Sequence, residues 1–490
     1  MTGAATTGAG RRTHADPLVR QVIGGEESEA AAGERFETVN PWTQAPAAEV
    51  VLSGEEDVAR AVAAARAAFD EGPWPRLGFA ARGRLLHALA DAIDAHAEEL
   101  AMADCIDVGK PITMLREFEV PRSAVNFRVF ADHARLSTAE AFPNDLGLTV
   151  YTRYEPAGVV AAIVPWNVPL MMLSWKIAPA LAWGNTVVVK PAEDSPASAS
   201  LLARLASEVG IPPGVINVVH GFGPDSAGQF LTESPGIDRV TFTGETGTGR
   251  AIGRAAAGNL VPVSLELGGK SAHVVCGDVD LAAAAGLAAR ASFMNSGQIC
   301  FAGNRILVEQ GAYEEFLRRF AGAAEALRVG DPADPATEVG TLSSCKHFEK
   351  VSSYLDGDAF AGGRLVAGGP GDGWAVRPTI VADVPADSPL WREEIFGPVA
   401  TVAPFESEVE AIAAANDSEY GLSALVSTDS NARASRLVAA LDAGLVWVNT
   451  FPFRDPRAPY GGSGSSGVGR EGGTFSRDFF TEPKQVVIQP

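Results

Sequence analysis

Cysteine is scarce in this 490-residue chain, which holds four: Cys105, Cys276, Cys300 and Cys345. They are too few and too scattered for a disulfide framework. None sits in a CxxC pair or a Cys/His cluster, so no pattern for a structural zinc site is present and no bound metal is expected. Positive charge is also short. Lys and Arg number 39 against 60 Asp and Glu, a formal charge of −21, whereas a nucleic acid or an anionic membrane surface requires a basic footprint. Long apolar runs are missing too. The most membrane-like stretch, 159–189, is interrupted by Pro165, Asn167, Pro169, Lys176 and Pro179 and does not read as a membrane span. The first eighteen residues carry Arg11, Arg12 and His14 without the apolar segment of a secretory signal. A reducing cytoplasm, where a free thiol survives, is therefore the expected setting. The dinucleotide fingerprint GxGxxG is lacking as well, because Gly247-Thr248-Gly249 is followed by Gly253, one residue too late.

What is present suits a large globular enzyme. Hydrophobic residues make up 46% and charged residues 20%, ordinary for a folded protein, and the length allows more than one domain. The first twenty residues are small and polar and read as a loose tail. Amphipathic helices follow, with Val58, Val62, Ala65 and Phe69, then Leu85, Leu86, Leu89 and Ile93, at helical spacing. From Gly158 onward, short β-branched runs alternate with helical ones. Strands are expected at 159–164, 186–189, 215–219, 239–242 and 261–265, with helices at 198–209 and 246–256. This alternation is the signature of an open parallel α/β sheet. A second alternating stretch runs from 271–275 and 305–308 to 445–449 and reads as another α/β domain. A cleft between two such domains is where a cofactor and a substrate would meet.

Three elements carry chemistry. Cys300 lies in Asn295-Ser296-Gly297-Gln298-Ile299-Cys300, and a thiol can attack a carbonyl carbon. Glu266, in Leu265-Glu266-Leu267-Gly268-Gly269-Lys270, offers a carboxylate that can activate water. Asn167, in Pro165-Trp166-Asn167-Val168-Pro169, offers a side-chain amide for an oxyanion. Each alone has a bland alternative: a lone Cys is commonly a small buried hydrophobe, and a lone Glu can cap a loop. Together, in glycine-flanked contexts, they point to covalent oxidation of an aldehyde.

With Lys190-Pro191-Ala192-Glu193, Phe242-Thr243-Gly244 and Glu393-Glu394-Ile395-Phe396-Gly397-Pro398-Val399 added in the same order, the chain resembles the NAD(P)-dependent aldehyde dehydrogenase superfamily from about Val22 to Gln489. The resemblance implies two Rossmann-type open α/β domains plus a small β oligomerisation element. It places an NAD-binding domain at 21–143 and 158–267, oligomerisation strands at 144–157 and 478–490, and a catalytic domain at 268–477. It implies Cys300 as nucleophile, Asn167 and the Cys300 backbone N–H as oxyanion donors, and Glu266 as the base that hydrolyses the thioester. NAD is the implied cofactor. Lys190 and Glu193 would contact the adenosine ribose, Gly244 and Gly249 would mark the start of the 246–256 helix, whose N–H groups can face the pyrophosphate, and Glu394 and Phe396 would hold the nicotinamide side. Trp166 and Leu267 would line the cleft. A carboxylate at Glu193 accepts from a 2′-hydroxyl and repels a 2′-phosphate, which favours NAD over NADP. Two departures stand out. Glu245 occupies a position near the pyrophosphate that is commonly a small hydroxyl residue, and Gly464 one that is commonly Lys. A homodimer or homotetramer is implied.

Within the superfamily, the run Pro121-Arg122-Ser123-Ala124-Val125-Asn126-Phe127-Arg128, with Gly469-Arg470-Glu471-Gly472-Gly473, resembles the branch that oxidises hydroxymuconic and aminomuconic semialdehydes. A substrate with a distal carboxylate calls for a fixed cation, and Arg can grip it bidentately. Arg122, Arg454 and Arg457 are the candidates, with Trp175 and Val168 as apolar walls. The competing readings are that these arginines form surface or inter-domain ion pairs, that the substrate is a simple uncharged aldehyde, and that the chain is an inactive binding member of the superfamily.

Overall fold

A computed structural model describes residue 14 and residues 17–355 and 362–490. Two open sheets carry the α/β alternation. In the first, five parallel strands lie in the order Val263–Glu266, Arg239–Thr243, Val159–Ile163, Thr186–Lys190 and Ile216–Val218. Every residue of the three central strands is buried. Their side chains alternate between two cores: Val160, Ala162, Val187 and Val189 join the one built with Phe127, Leu173 and Leu202, while Val159, Ala161 and Val188 join Val58, Val62 and Ile252. Apolar cover on both faces is why these strands read as continuous β-branched runs instead of alternating ones. Antiparallel strands close both edges, Gly467–Val468 on one side and Gln21–Ile23 with Glu26–Ser28 on the other.

The second sheet runs Arg364–Pro370, Val376–Ala382, Val399–Phe405, Arg305–Glu309, Ala272–Val275, Ser423–Ser427 and Leu445–Val448, parallel except for its first strand. The helices Glu55–Asp70, Ala197–Glu208 and Thr246–Gly258 lie where helical periodicity places them.

Two details differ from the sequence reading. Leu18–Val19 is a strand paired in parallel with Glu49 and Val50, so the expected tail ends before it; of the residues that precede this strand, all but His14 and Pro17 lie outside the described residues. Gly467–Val468 returns from the second half of the chain to the first sheet, so the stretch 268–477 is not confined to one sheet. The C-terminal strand Thr481–Ile488 pairs antiparallel with Thr149–Pro156 of the same chain.

The topology positions the chemistry. Asn167, Lys190, Gly244 and Glu266 all lie at or just past the carboxyl ends of neighbouring parallel strands, the side of an open α/β sheet where ligands bind. Gly268 and Gly269 then lead directly into Ala272–Val275 of the second sheet.

Candidate active site

Cys300 sits at the end of a loop with unusual backbone. Asn295, Ser296 and Gly297 all have positive φ, at 53°, 54° and 70°, a region that L-residues other than glycine enter only under constraint. The constraint is visible. Asn295 Nδ2 donates to the Asn167 carbonyl at 2.9 Å and to the Gln298 carbonyl at 3.1 Å. Asn167 Nδ2 donates to that same Gln298 carbonyl at 2.9 Å, and Gln298 Oε1 accepts from the Ser343 amide at 3.1 Å. Beneath Asn167, the buried Lys110 ammonium donates to its carbonyl at 2.5 Å and pairs with the buried Glu119. One Asn167 amide hydrogen is thus spent on holding the loop, and the other remains for a ligand.

Glycines let the motif segments touch. A Cβ on Gly269 would lie 2.2 Å from the Cys300 carbonyl oxygen, one on Gly268 2.2 Å from Glu394 Oε2, and one on Gly297 2.1 Å from the Gly397 carbonyl. The three stretches around residues 268, 300 and 397 therefore meet backbone to backbone.

Around the sulfur stand groups of both signs. Cys300 keeps some contact with solvent, yet burial pushes its thiol up to about 12, with Glu394 and Glu266 adding to the rise and the Tyr460 hydroxyl and Arg454 opposing it. Tyr460 is buried and its hydroxyl lies 3.6 Å from Cys300 Sγ. Glu266 is buried with neither carboxylate oxygen hydrogen-bonded. Burial, with Glu471 nearby, holds its carboxyl well above the usual range. Glu471 itself accepts from Trp175 Nε1 and Lys176 Nζ, both at 2.6 Å, and from Ser264 Oγ at 3.0 Å. Lys176 is accordingly a tether for Glu471.

Arg454 and Arg122 come together beside this cluster. The Arg454 guanidinium lies over the Trp175 ring at 3.9 Å and the Tyr460 ring at 3.8 Å, and Arg122 donates to the Arg454 carbonyl at 3.1 Å. Burial and the neighbouring Arg454 lower the Arg122 pKa. Neither arginine has a carboxylate within ion-pair distance among the described residues. Arg457 is different: exposed and bound bidentately by Asp455, at 3.0 and 2.6 Å, it does not join the pair. Arg128 is likewise paired with Asp91 and Asp94. Val168 is buried at the start of the helix Pro169–Ala182, whose Trp175 is also buried.

On the other side of the strand ends, Lys190 is buried with Glu193 as its partner at 3.3 Å, and burial lowers its pKa. Glu394 accepts from the Gly269 amide at 2.8 Å and is raised by burial to about 7. Trp166 packs edge-on to Phe396 at 5.4 Å and against His347 at 4.9 Å, and His347 bonds the Phe396 carbonyl at 2.8 Å. Gly244 and Gly249 flank the start of the helix Thr246–Gly258. Gly244 N donates to the Glu266 carbonyl and Gly249 N to the Glu245 carbonyl, so neither amide is free to face a phosphate. Gly249 instead makes room for Leu267, whose side chain would stand 2.3 Å from an added Cβ. The amides without an intrahelical partner are those of Thr246, Gly247 and Thr248 in the first turn. Glu245 precedes them as an exposed residue whose side chain caps nothing. Gly464, at φ 60°, has its Cβ position 2.5 Å from the Glu419 carbonyl, which excludes a lysine with this backbone. Among the described residues no group of three or more His, Cys, Asp or Glu could hold a metal ion, and no helix is long and apolar enough to cross a membrane.

Residues 28–486 match the aldehyde dehydrogenase family. The chain belongs to that family. It is 44% identical over 484 residues to a 2-hydroxymuconic semialdehyde dehydrogenase of Pseudomonas sp. (strain CF600), covering 96% of this chain and 99% of the relative. It is 42% identical over 470 residues to a 2-aminomuconic 6-semialdehyde dehydrogenase of Pseudomonas sp., covering 94% and 96%. The solved NAD+ complex of an aldehyde dehydrogenase from Bacillus cereus superposes with a TM-score of 0.94 at 40% identity, over 96% of each chain. For an aldehyde dehydrogenase fold, the sequence reading missed Tyr460, Lys110, Glu119 and His347. Lys110, Glu119 and His347 carry no local signal, because their importance comes from burial. Tyr460 had one: it directly precedes the glycine-rich run from Gly461, whose Cβ position is 2.5 Å from Glu266 Oε1.

Proposed function

We propose that this aldehyde dehydrogenase oxidises a semialdehyde bearing a distal carboxylate, of the muconic type, to the corresponding acid with NAD. The reading is carried by Arg122 and Arg454, two cations brought side by side near Cys300, neither with a carboxylate within ion-pair distance among the described residues, although Asp455 acts on Arg122 from farther off. A half-buried cation is favoured by a nearby anion; Arg128 and Arg457 already have carboxylate partners, and an incoming substrate carboxylate would compensate Arg122 and Arg454. Both Pseudomonas relatives named above bear semialdehyde names.

The chain's own groups suit the chemistry. Cys300 attacks the aldehyde carbon, forming the C–S bond of a thiohemiacetal, and its thiol proton is taken by Glu266. The oxyanion is met by the second Asn167 amide hydrogen and the Cys300 N–H, which has no acceptor among the described residues; loss of one such donor costs about 10²–10³ in rate. NAD, when bound, supplies the hydride acceptor. After passing the thiol proton on to solvent, Glu266 takes a proton from water, which attacks the thioester carbon, displaces the sulfur as thiolate and releases the acid. The donor set fits NAD: the buried Lys190 with Glu193 beside it offers a donor and an acceptor to a ribose diol, and the Glu193 carboxylate disfavours a 2′-phosphate. The strand-end segments of 21–143 and 158–267 would hold the cofactor and 268–477 would supply the nucleophile, in a cytoplasmic homodimer or homotetramer.

The test is NADH formation on aldehydes matched in length, with and without a terminal carboxylate, including a muconic semialdehyde, with NAD and with NADP. A preference for the carboxylated members that falls by about 10–10³-fold in kcat/KM in Arg122→Ala or Arg454→Ala is expected. Equal rates on uncharged aldehydes would return the arginines to structural roles.

A further inference from the structure

We infer that the Tyr460 hydroxyl is the hydrogen-bond donor that holds Cys300 as a thiolate, a catalytic contact additional to those of Glu266 and Asn167. This rests on the reading of Cys300 as nucleophile. The Tyr460 ring is buried, and its hydroxyl has one hydrogen-bond partner among the described residues, Cys300 Sγ at 3.6 Å. A buried tyrosine hydroxyl ordinarily finds an oxygen or nitrogen partner, and a neutral thiol is a poor acceptor. A thiolate is a strong one. The pairing therefore gains most when the sulfur is charged.

The surroundings make such a donor necessary. Burial disfavours the sulfur anion most, and Glu394 and Glu266, when ionised, disfavour it further. Against them stand the Tyr460 hydroxyl and Arg454. Arg454 lies 3.8 Å from the Tyr460 ring centroid, so its charge draws on the π system and strengthens the O–H as a donor. A substrate carboxylate bound at Arg454 would cancel much of that cation's direct help, leaving the hydroxyl as the local support of the thiolate. No bond at Tyr460 is made or broken: the thiol proton leaves to Glu266, and the phenol keeps its own. As the C–S bond forms, charge moves from sulfur to the substrate oxygen, where Asn167 and the Cys300 N–H receive it.

Tyr460→Phe preserves the ring and its contacts with Arg454 and Trp175 and removes only the hydroxyl. The measurement is the rate of iodoacetamide alkylation of Cys300, located by peptide mass mapping, across pH in the full-length enzyme. The profile of Tyr460→Phe is expected to move up by about one to two pH units, with alkylation near neutrality slowed about tenfold or more and NAD affinity unchanged. An unchanged profile would overturn the proposal. Site-specific 3-fluorotyrosine at 460, a more acidic phenol with the shape nearly intact, should move the profile the other way; no movement there counts against Tyr460 even if the Phe variant folds poorly. Cys300→Ala tests the underlying reading separately. Turnover that survives it removes the nucleophile, whereas an unchanged Tyr460→Phe profile in an enzyme that needs Cys300 removes only the donor.

Discussion

Neither oxygen of Glu266 finds a hydrogen-bond donor, and burial with Glu471 nearby keeps its proton on well above the usual carboxylate range. A base must be ionised to take a proton from water, so thioester hydrolysis should rise with pH through that elevated range. Glu266→Gln should abolish this limb, slow hydrolysis by about 10²–10⁴-fold, and let an acyl-enzyme build up that intact-mass spectrometry detects; no accumulating adduct would remove Glu266 from the role. Stability runs the opposite way. Because the folded carboxyl is raised above its unfolded value, its contribution is fully present below the unfolded pKa and is lost as pH rises through the folded one. Denaturant unfolding of Glu266→Gln should accordingly lose less stability than the parent between acidic and neutral pH.

At the level of elements, the nucleophile loop is placed by what its neighbours lack. Gly269 has no Cβ, and the Cys300 carbonyl occupies the space one would fill, 2.2 Å away. Backbone cannot yield as a flexible side chain does. Gly269→Ala should push Cys300 out of line with the oxyanion donors and lower kcat/KM by about 10²-fold, since a 1 Å error in placement carries a penalty of that order. Steady-state kinetics on the carboxylated aldehydes, with a thermal melt to show that the fold persists, check it; full activity would mean that the loop relaxes without harm. The strands around this loop were readable in the sequence because parallel strands, covered on both faces, are rich in β-branched residues. The loop's own geometry was not, because three successive positive φ values depend on the Asn167 and Asn295 side-chain amides reaching the Gln298 and Asn167 carbonyls.

Across the whole molecule, Thr481–Ile488 has Thr149–Pro156 on one edge, and its other edge is unpaired among the described residues. Val487 and Ile488 are exposed on it. Such an edge is a template for a second chain, so the full enzyme should behave as a dimer or larger in light scattering coupled to gel filtration, and deletion of 482–490 should yield smaller species. A monomeric parent would refute this. Legibility followed distance along the chain. Cys300, Glu266, Asn167, Lys190, Glu193 and Glu394 each lie in a local motif, and so did most strands, since burial on both faces and helical periodicity are written in short windows. The contacts that give those residues their properties are long-range. Arg122 meets Arg454 across 332 positions, Trp175 meets Glu471 across 296 and Cys300 meets Tyr460 across 160. The amino-acid order by itself determined which groups can attack, donate and accept, and that two α/β units hold them, because residue chemistry and backbone periodicity are local. Only the tertiary structure decided that Arg457 is ion-paired while Arg122 and Arg454 have no carboxylate within ion-pair distance among the described residues, that the Gly244 and Gly249 amides are already used, and that a phenol lies beside the thiol. Pairing, burial and field strength depend on which loops the sheets bring together.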